Sequence, residues 1–319
     1  MSERKHAIDL LRAISVLYIV GYWHLFNYIK WPPYYNIYTK SVVLVVLGIF
    51  SFTSGYLLAH YNTGWRLNKL LSFYNLRFIR IYPLYVIALL LFLWLGMVKW
   101  SVFINAVLLI SMFNPPAPLT LWFITMIMLF YAITPIFTTC ADRIKLFMSV
   151  SIGSMFGMIV FASLIHMIDL RIIMYFLPFV FGIFVARQPL LQKILQNNIW
   201  LLALSLIPAF LLSKHGNEHD ILGALSLIPL ILIGSLTVFM LAERYFSNKQ
   251  HWIVSSISYA SFCMYLFHRI IYKFVIMAYF PSSKTTQLVY LLVAGLGSTI
   301  LVSYQIQRIY DYTIKTYLR

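Results

Sequence analysis

The chain has 319 residues, 62% of them hydrophobic and only 10% charged, whereas a soluble domain carries about 25% charged residues. That balance excludes a soluble enzyme and predicts an all-α, polytopic membrane protein. The net charge of +16 is accounted for by basic cytoplasmic loops; it argues for anionic headgroups or a phosphorylated cofactor as partners, and no nucleic acid is expected.

The first apolar segment, residues 8–29, is long enough to cross a bilayer yet contains Asp9, Arg12 and His24. Ionisable groups are costly in hydrocarbon, so such residues mark a candidate functional site facing protein or water. On an ideal helix Arg12 and His24 stand roughly 18 Å apart along the axis and, with Asp9, share a sector of roughly 120°. The segment lacks a small-residue cleavage site and is expected to remain as an anchor. Further spans are predicted at 41–59, 80–98, 120–139, 146–165, 171–186, 199–213, 221–241, 253–279 and 286–307. Residues 60–80 have apolar side chains at helical spacing between Arg66, Lys69 and Arg77, which predicts an amphipathic helix on the inner surface. The piece 100–113, ending in Asn114-Pro115-Pro116, is too short to span and reads as interfacial or re-entrant. The two cysteines, Cys140 and Cys263, suggest neither a disulfide framework nor a metal site.

Charge decides the topology. With ten spans and both termini in the cytoplasm, fifteen of the 24 Lys and Arg residues fall inside and six outside. Counting 100–113 as a span would move three basic clusters outside and destroy that asymmetry.

Four stretches then stand out in order: Ile8-Asp9-Leu10-Leu11-Arg12 with His24; Phe50-Ser51-Phe52-Thr53-Ser54-Gly55; Arg77-Phe78-Ile79-Arg80-Ile81-Tyr82-Pro83; and Ser258-Tyr259 leading to Tyr265-Leu266-Phe267-His268. Together they resemble the membrane-bound acyltransferases called acyltransferase type three, over nearly the whole chain. The resemblance is nearest to the branch with enterobacterial common antigen and polysaccharide O-acetyltransferases. It implies a single transmembrane acyltransferase domain over 1–319, with no fused soluble domain, in a bacterial inner membrane. The implied reaction moves an acyl group, acetyl first, from cytoplasmic acyl-CoA (acetyl-CoA) to a hydroxyl of a cell-surface glycan or lipid-linked sugar, with no permanently bound cofactor and no metal. His24 takes the place of the family's catalytic histidine, Arg12 of its first-helix arginine, and Arg77 and Arg80 of its R-x-x-R pair.

The residues support those roles on their own terms. Histidine suits removal of a hydroxyl proton. Arginines three apart share a helix face and could hold the phosphates of CoA. Ordinary roles stand beside each: an interfacial hydrogen-bonded histidine at 24, snorkelling at Arg12, and a positive-inside flank at Arg77 and Arg80. Asp9 is read as the partner of Arg12, and Ser54-Gly55 as a close helix approach. His268 is either a support or acceptor-binding group or a satisfied core histidine. Relatives commonly have an apolar residue at the place of Arg269; with Lys273 it suggests a cationic outer vestibule for an anionic glycan, or else snorkelling. In the fourth span Leu121-Trp122 and Phe130-Tyr131 with Pro135 keep the family's frame, but Ile127 and Met128 replace its glutamates. His24 is therefore left without an evident carboxylate, and Tyr22, Asn27, Ser54, Tyr131 or a distant Asp9 are the candidates to orient it; Trp122 is a possible acceptor-site residue. A transporter using His24, Arg12 and His268 as relay groups is the alternative from another class.

Overall fold

A computed structural model describes residues 6–29, 35–61, 66–165, 167–247 and 251–317, and no strand occurs among them. The helices in chain order are α1 (His6–Gly21), α2 (Phe26–Ile29), α3 (Ile37–Leu58), α4 (Leu67–Trp94), α5 (Trp100–Val107), α6 (Trp122–Cys140) and α7 (Ile144–Ile165). They continue as α8 (Arg171–Arg187), α9 (Pro189–Asn197), α10 (Ile199–Ser213), α11 (Ile221–Phe246), α12 (Trp252–Ala278), α13 (Lys284–Tyr290) and α14 (Leu296–Tyr317). Eight segments among the described residues are long and apolar enough to cross a membrane: α1 with α2, α3, α4, α6, α7, α11, α12, and α13 joined to α14. The remaining two predicted segments are the shorter apolar helices α8, which is bent by 104° into α9, and α10. The fold is that of a polytopic, all-helical membrane protein.

Three boundaries differ from the sequence reading. The first span is not one straight helix: α1 ends at Gly21, Tyr22 turns (φ −131°, ψ −70°), and Trp23–Leu25 form a 3₁₀ turn before α2. The ideal-helix angle between Arg12 and His24 therefore does not apply. Second, the surface helix and the third span are one continuous helix, α4, because no Gly or Pro interrupts Leu67–Tyr82 and Pro83 is carried inside it. Trp65, at the head of that surface helix, lies outside the described residues. Third, the last span runs on to Thr316. The piece 100–113, in contrast, is only the eight-residue α5 followed by turns. Tyr82 and Tyr85 of α4 donate hydrogen bonds to the carbonyls of Val107 (2.8 Å) and Ala106 (3.3 Å), and the buried Tyr85 hydroxyl also meets Thr125 of α6 at 2.7 Å.

The chain forms two compact units, Met1–Val46 with Ala242–Arg319, and Leu47–Leu241. In the first, α12 packs between α1 and α14. Asp9 meets Ser258 and His24 meets His268, so α1 and α12 run parallel. Tyr259 meets Asp311 and Cys263 meets Gln307, so α14 runs back antiparallel. Parallel α1 and α12 require an odd number of crossings between them. Five long segments, or seven with α8 and α10, satisfy this; adding α5 to either set does not. In the second unit α3 and α8 cross at two glycines. A Cβ on Gly55 would lie 2.0 Å from the Phe179 carbonyl oxygen, and one on Gly182 2.1 Å from that of Phe52. Ser51 donates to the Tyr175 carbonyl at 2.9 Å across the same seam. In a membrane such small residues let backbones approach and gain packing that lipid cannot supply.

Candidate active site

The break after Gly21 brings His24 against α12. Asn27 donates to the His24 carbonyl at 3.3 Å, holding the turn. The imidazole of His24 meets that of His268 through Nδ1 and Nε2 at 2.9 Å. The two rings are nearly parallel, 6° apart with centroids separated by 4.8 Å.

The network assigns the tautomers. His268 Nδ1 stands 2.9 Å from the Tyr265 carbonyl and 3.1 Å from that of Met264. A carbonyl only accepts, so His268 carries its proton on Nδ1 and presents a lone pair at Nε2. His24 must then donate through Nδ1, which leaves its own Nε2 unprotonated. A helix's backbone carbonyls thus fix, through one imidazole, the base form of another. Both are buried, but His268 has no exposed surface while His24 keeps 8% of its own, so His24 is the less enclosed of the pair.

Aromatic packing holds the pair. Tyr272 stands edge-on to His268 at 6.4 Å, donates to the Val20 carbonyl at 3.1 Å, and is itself buried. Room for it comes from a π-helical turn, Leu291–Gly295, between α13 and α14: a Cβ on Gly295 would sit 2.2 Å from the Tyr272 ring. Such single π turns recur at functional sites. Beside the pair lies Arg269, with Nε buried and without a hydrogen-bond partner among the described residues. Its guanidinium is within electrostatic reach of both imidazoles and of the Tyr28 and Tyr265 phenols.

The other end of this unit holds Asp9, whose Oδ1 accepts from Ser258 at 2.7 Å, and the half-buried Arg12 one turn on. Nearby in α12 and α14, Asp311 accepts from Tyr259 (2.7 Å) and Gln307 (3.0 Å).

The remaining sequence-selected residues belong to the second unit. Arg77 is half-buried, with its guanidinium carbon 5.3 Å from the Phe73 ring centroid and 5.9 Å from that of Tyr61; Arg80, one turn on, is exposed. Tyr131 lies within electrostatic reach of Arg77 and near the Phe179 ring, and Ser54 is half-buried on α3. Trp122 is covered by Arg171, stacked 4.0 Å above its ring and bound to Asp169 through Nε (2.8 Å) and a terminal nitrogen (2.5 Å).

Sequence reasoning looked for the orienting partner of His24 among Tyr22, Asn27, Ser54, Tyr131 and Asp9. The side chain on Nδ1 is instead His268, and Asn27 touches only the His24 backbone. Reasoning from spacing also missed Tyr272 and Gly295, for which the one sequence signal is a glycine opposite a tyrosine-rich helix. A cavity of about 630 Å³ in the second unit is lined by Asp169, Arg171, Glu218, His219 and Asp220, residues that form no recognisable motif in the sequence. Asp220 is held ionised below the usual carboxylate range by the Gly223 amide (2.7 Å) and by Asn217.

Comparison with known proteins adds one match. A family model described as an acyltransferase domain, the third such acyltransferase family, covers residues 5–308. No curated protein and no solved structure matches the chain.

Proposed function

The chain belongs to that third acyltransferase family and is a multi-pass membrane acyltransferase; from this premise we propose that it is an O-acyltransferase, with acetyl-CoA as donor and a cell-surface glycan or lipid-linked sugar as acceptor. The observation that supports the reading best is the 2.9 Å contact between His24 Nδ1 and His268 Nε2. It leaves a lone pair on the His24 imidazole, in a protonation state set in advance by the helix behind it.

In the proposed reaction His24 Nε2 takes the proton of the acceptor hydroxyl as its oxygen attacks the thioester carbonyl carbon. The carbonyl oxygen takes up the electron pair. When the tetrahedral intermediate collapses, the carbon–sulfur bond breaks and the His24 proton passes to the CoA sulfur. The imidazolium that exists between those steps is stabilised through its Nδ1–H by His268, whose Nδ1–H leans on the Tyr265 and Met264 carbonyls. His268 is thus a positioning residue and His24 the base.

Arg77 and Arg80 are the proposed anchor for the phosphates of CoA. Arg77 has its guanidinium carbon over the Phe73 and Tyr61 rings, a cation–π setting that leaves its N–H groups for phosphate. Arg12, in the first half of α1, is the proposed contact for the pantetheine arm. With both termini in the cytoplasm of a bacterial inner membrane, the donor enters from the α1 N-terminal side and the acceptor meets His24 toward the other.

The test is transfer of radiolabel from acetyl-CoA to purified surface glycan by protein in detergent or liposomes. General-base catalysis contributes on the order of 10²–10⁴-fold, so His24→Ala should lose at least a hundredfold in turnover. Label transfer by His24→Ala at the wild-type rate would remove the base from the mechanism.

A further inference from the structure

Arg269 is the residue that the reaction above does not use. It occupies the position after His268 on α12, inside a span, where an uncompensated cation is costly. Arg269 makes no ion pair among the described residues: Asp9 accepts from Ser258 and Asp311 from Tyr259 and Gln307. Their α12 members, Ser258 and Tyr259, lie eleven and ten residues before Arg269, roughly 15 Å along the helix. The groups it interacts with electrostatically are instead ones that tolerate an anion. The phenols of Tyr28 and Tyr265 can donate hydrogen bonds, and Lys273 follows one turn on. Nε is buried and unmet, and a buried charged donor left without an acceptor is destabilising.

A carboxylate or phosphate seated at Arg269 would answer each of these features at once. It would supply the missing acceptor, take the fork of donors that guanidinium offers to planar anions, and neutralise the charge. Because Arg269 is beside the imidazoles, that anion must be carried by the molecule reacting at His24, within a few bonds of the hydroxyl or the thioester.

We infer that Arg269 is a specificity residue that binds an anionic group on the substrate at His24, either on the acceptor sugar or at the far end of a dicarboxylic acyl chain. This rests on the acyltransferase reading above, and the two can fail separately. Release of CoA is measured in two arms with wild type, Arg269→Met and Arg269→Lys. One arm compares succinyl-CoA with acetyl-CoA as donors. The other compares methyl glucuronide with methyl glucuronamide as accelerators of acetyl-CoA discharge; these acceptors have the same hydroxyls and differ in a carboxylate against a neutral amide. Wild type should favour the anionic member at least tenfold in one arm, and that arm identifies the source of the anion. Arg269→Met should bring the ratio to within twofold of unity, and Arg269→Lys, which keeps the charge without the fork, should retain part of it. Absence of any anionic preference in wild type overturns the inference while leaving the acyltransferase reading intact. So does a preference that Arg269→Met leaves in place, or equal slowing of neutral and anionic members, which would mark Arg269 as serving the transition-state oxyanion or the fold. Absence of CoA release from every donor by wild type would instead sink the acyltransferase reading itself.

Discussion

The two arginine–aromatic and histidine–histidine clusters are built on opposite principles. Around His24 every orientation is determined by protein: two carbonyls, one buried imidazole, one buried tyrosine and a glycine that makes space for it. Around Arg77 and Arg80 little is enclosed. One guanidinium lies on two rings and the other is exposed, so their donors remain available to something outside the chain. The difference is the one the proposed roles call for: a base that holds its protonation state, and an anchor that catches and releases a charged ligand. Fixed dipoles give the first its preorganisation, while exposure keeps the second exchangeable and sensitive to salt.

The sharpest way to break this comparison is at His268. His268→Phe keeps a ring of similar size but removes the acceptor for His24 Nδ1–H, so the buried imidazole is free to move its proton to Nε2, where it can no longer act as base. Turnover should fall by about 10²-fold, the lower end of what general-base catalysis contributes, with little change in KM for acetyl-CoA. His268→Gln places an amide oxygen near the lost Nε2 and should recover a substantial part of the rate. Equal loss in both variants would mean that His268 only fills space.

A smaller effect, and of the opposite kind, is expected at the arginine pair. Arg77→Ala with Arg80→Ala should raise KM for acetyl-CoA about tenfold, in line with the loss of charge-assisted hydrogen bonds worth roughly 1.5–3 kcal/mol before solvent screening. The maximal rate should hold to within about threefold, and the wild-type KM should climb with ionic strength more steeply than the variant's. Unchanged affinity for CoA by equilibrium binding would remove the arginines from the donor site.

The contrast between the clusters also explains what could be read before the structure. Spans announce themselves because runs of about twenty apolar residues have few other uses, and α5 was recognised as no span by length and charge alone. Arg77 and Arg80 share a face because three residues is nearly a turn, which is local information. The partner of His24 is not local: His268 is 244 positions away, and no spacing rule pairs them. Both residues stand out as ionisable groups in spans, yet the orienting groups that motif and spacing offer for His24 are a hydroxyl, an amide, a backbone carbonyl or the distant Asp9. The carbonyls that complete the network have no sequence signature at all. The break at Tyr22 was similarly silent, since Gly21 is tolerated within membrane helices and nothing else marks a turn there. Conversely, Arg66, Lys69 and Arg77 suggested a separate surface helix because charge changes along α4 while its backbone does not.

Two glycines extend the comparison from chemistry to packing, with the smallest expected effect on turnover at one of them. At Gly55 an added methyl meets a backbone oxygen at 2.0 Å, and at Gly295 it meets the Tyr272 ring at 2.2 Å. A backbone cannot rotate away, so Gly55→Ala must separate α3 from α8 and should cost stability near the upper end of the roughly 1–3 kcal/mol usual for overpacking. A ring can shift, so Gly295→Ala should cost less stability. That shift, however, disturbs the edge contact of Tyr272 with His268 and its bond to Val20. The orders should therefore cross: Gly55→Ala lowers the melting temperature more, while Gly295→Ala, assayed well below melting, lowers turnover more. Thermal unfolding in detergent and CoA release on the same preparations would decide it. If Gly295→Ala leaves turnover untouched while Gly55→Ala reduces it, the π turn is only a packing device and the histidine pair does not depend on Tyr272 for its alignment.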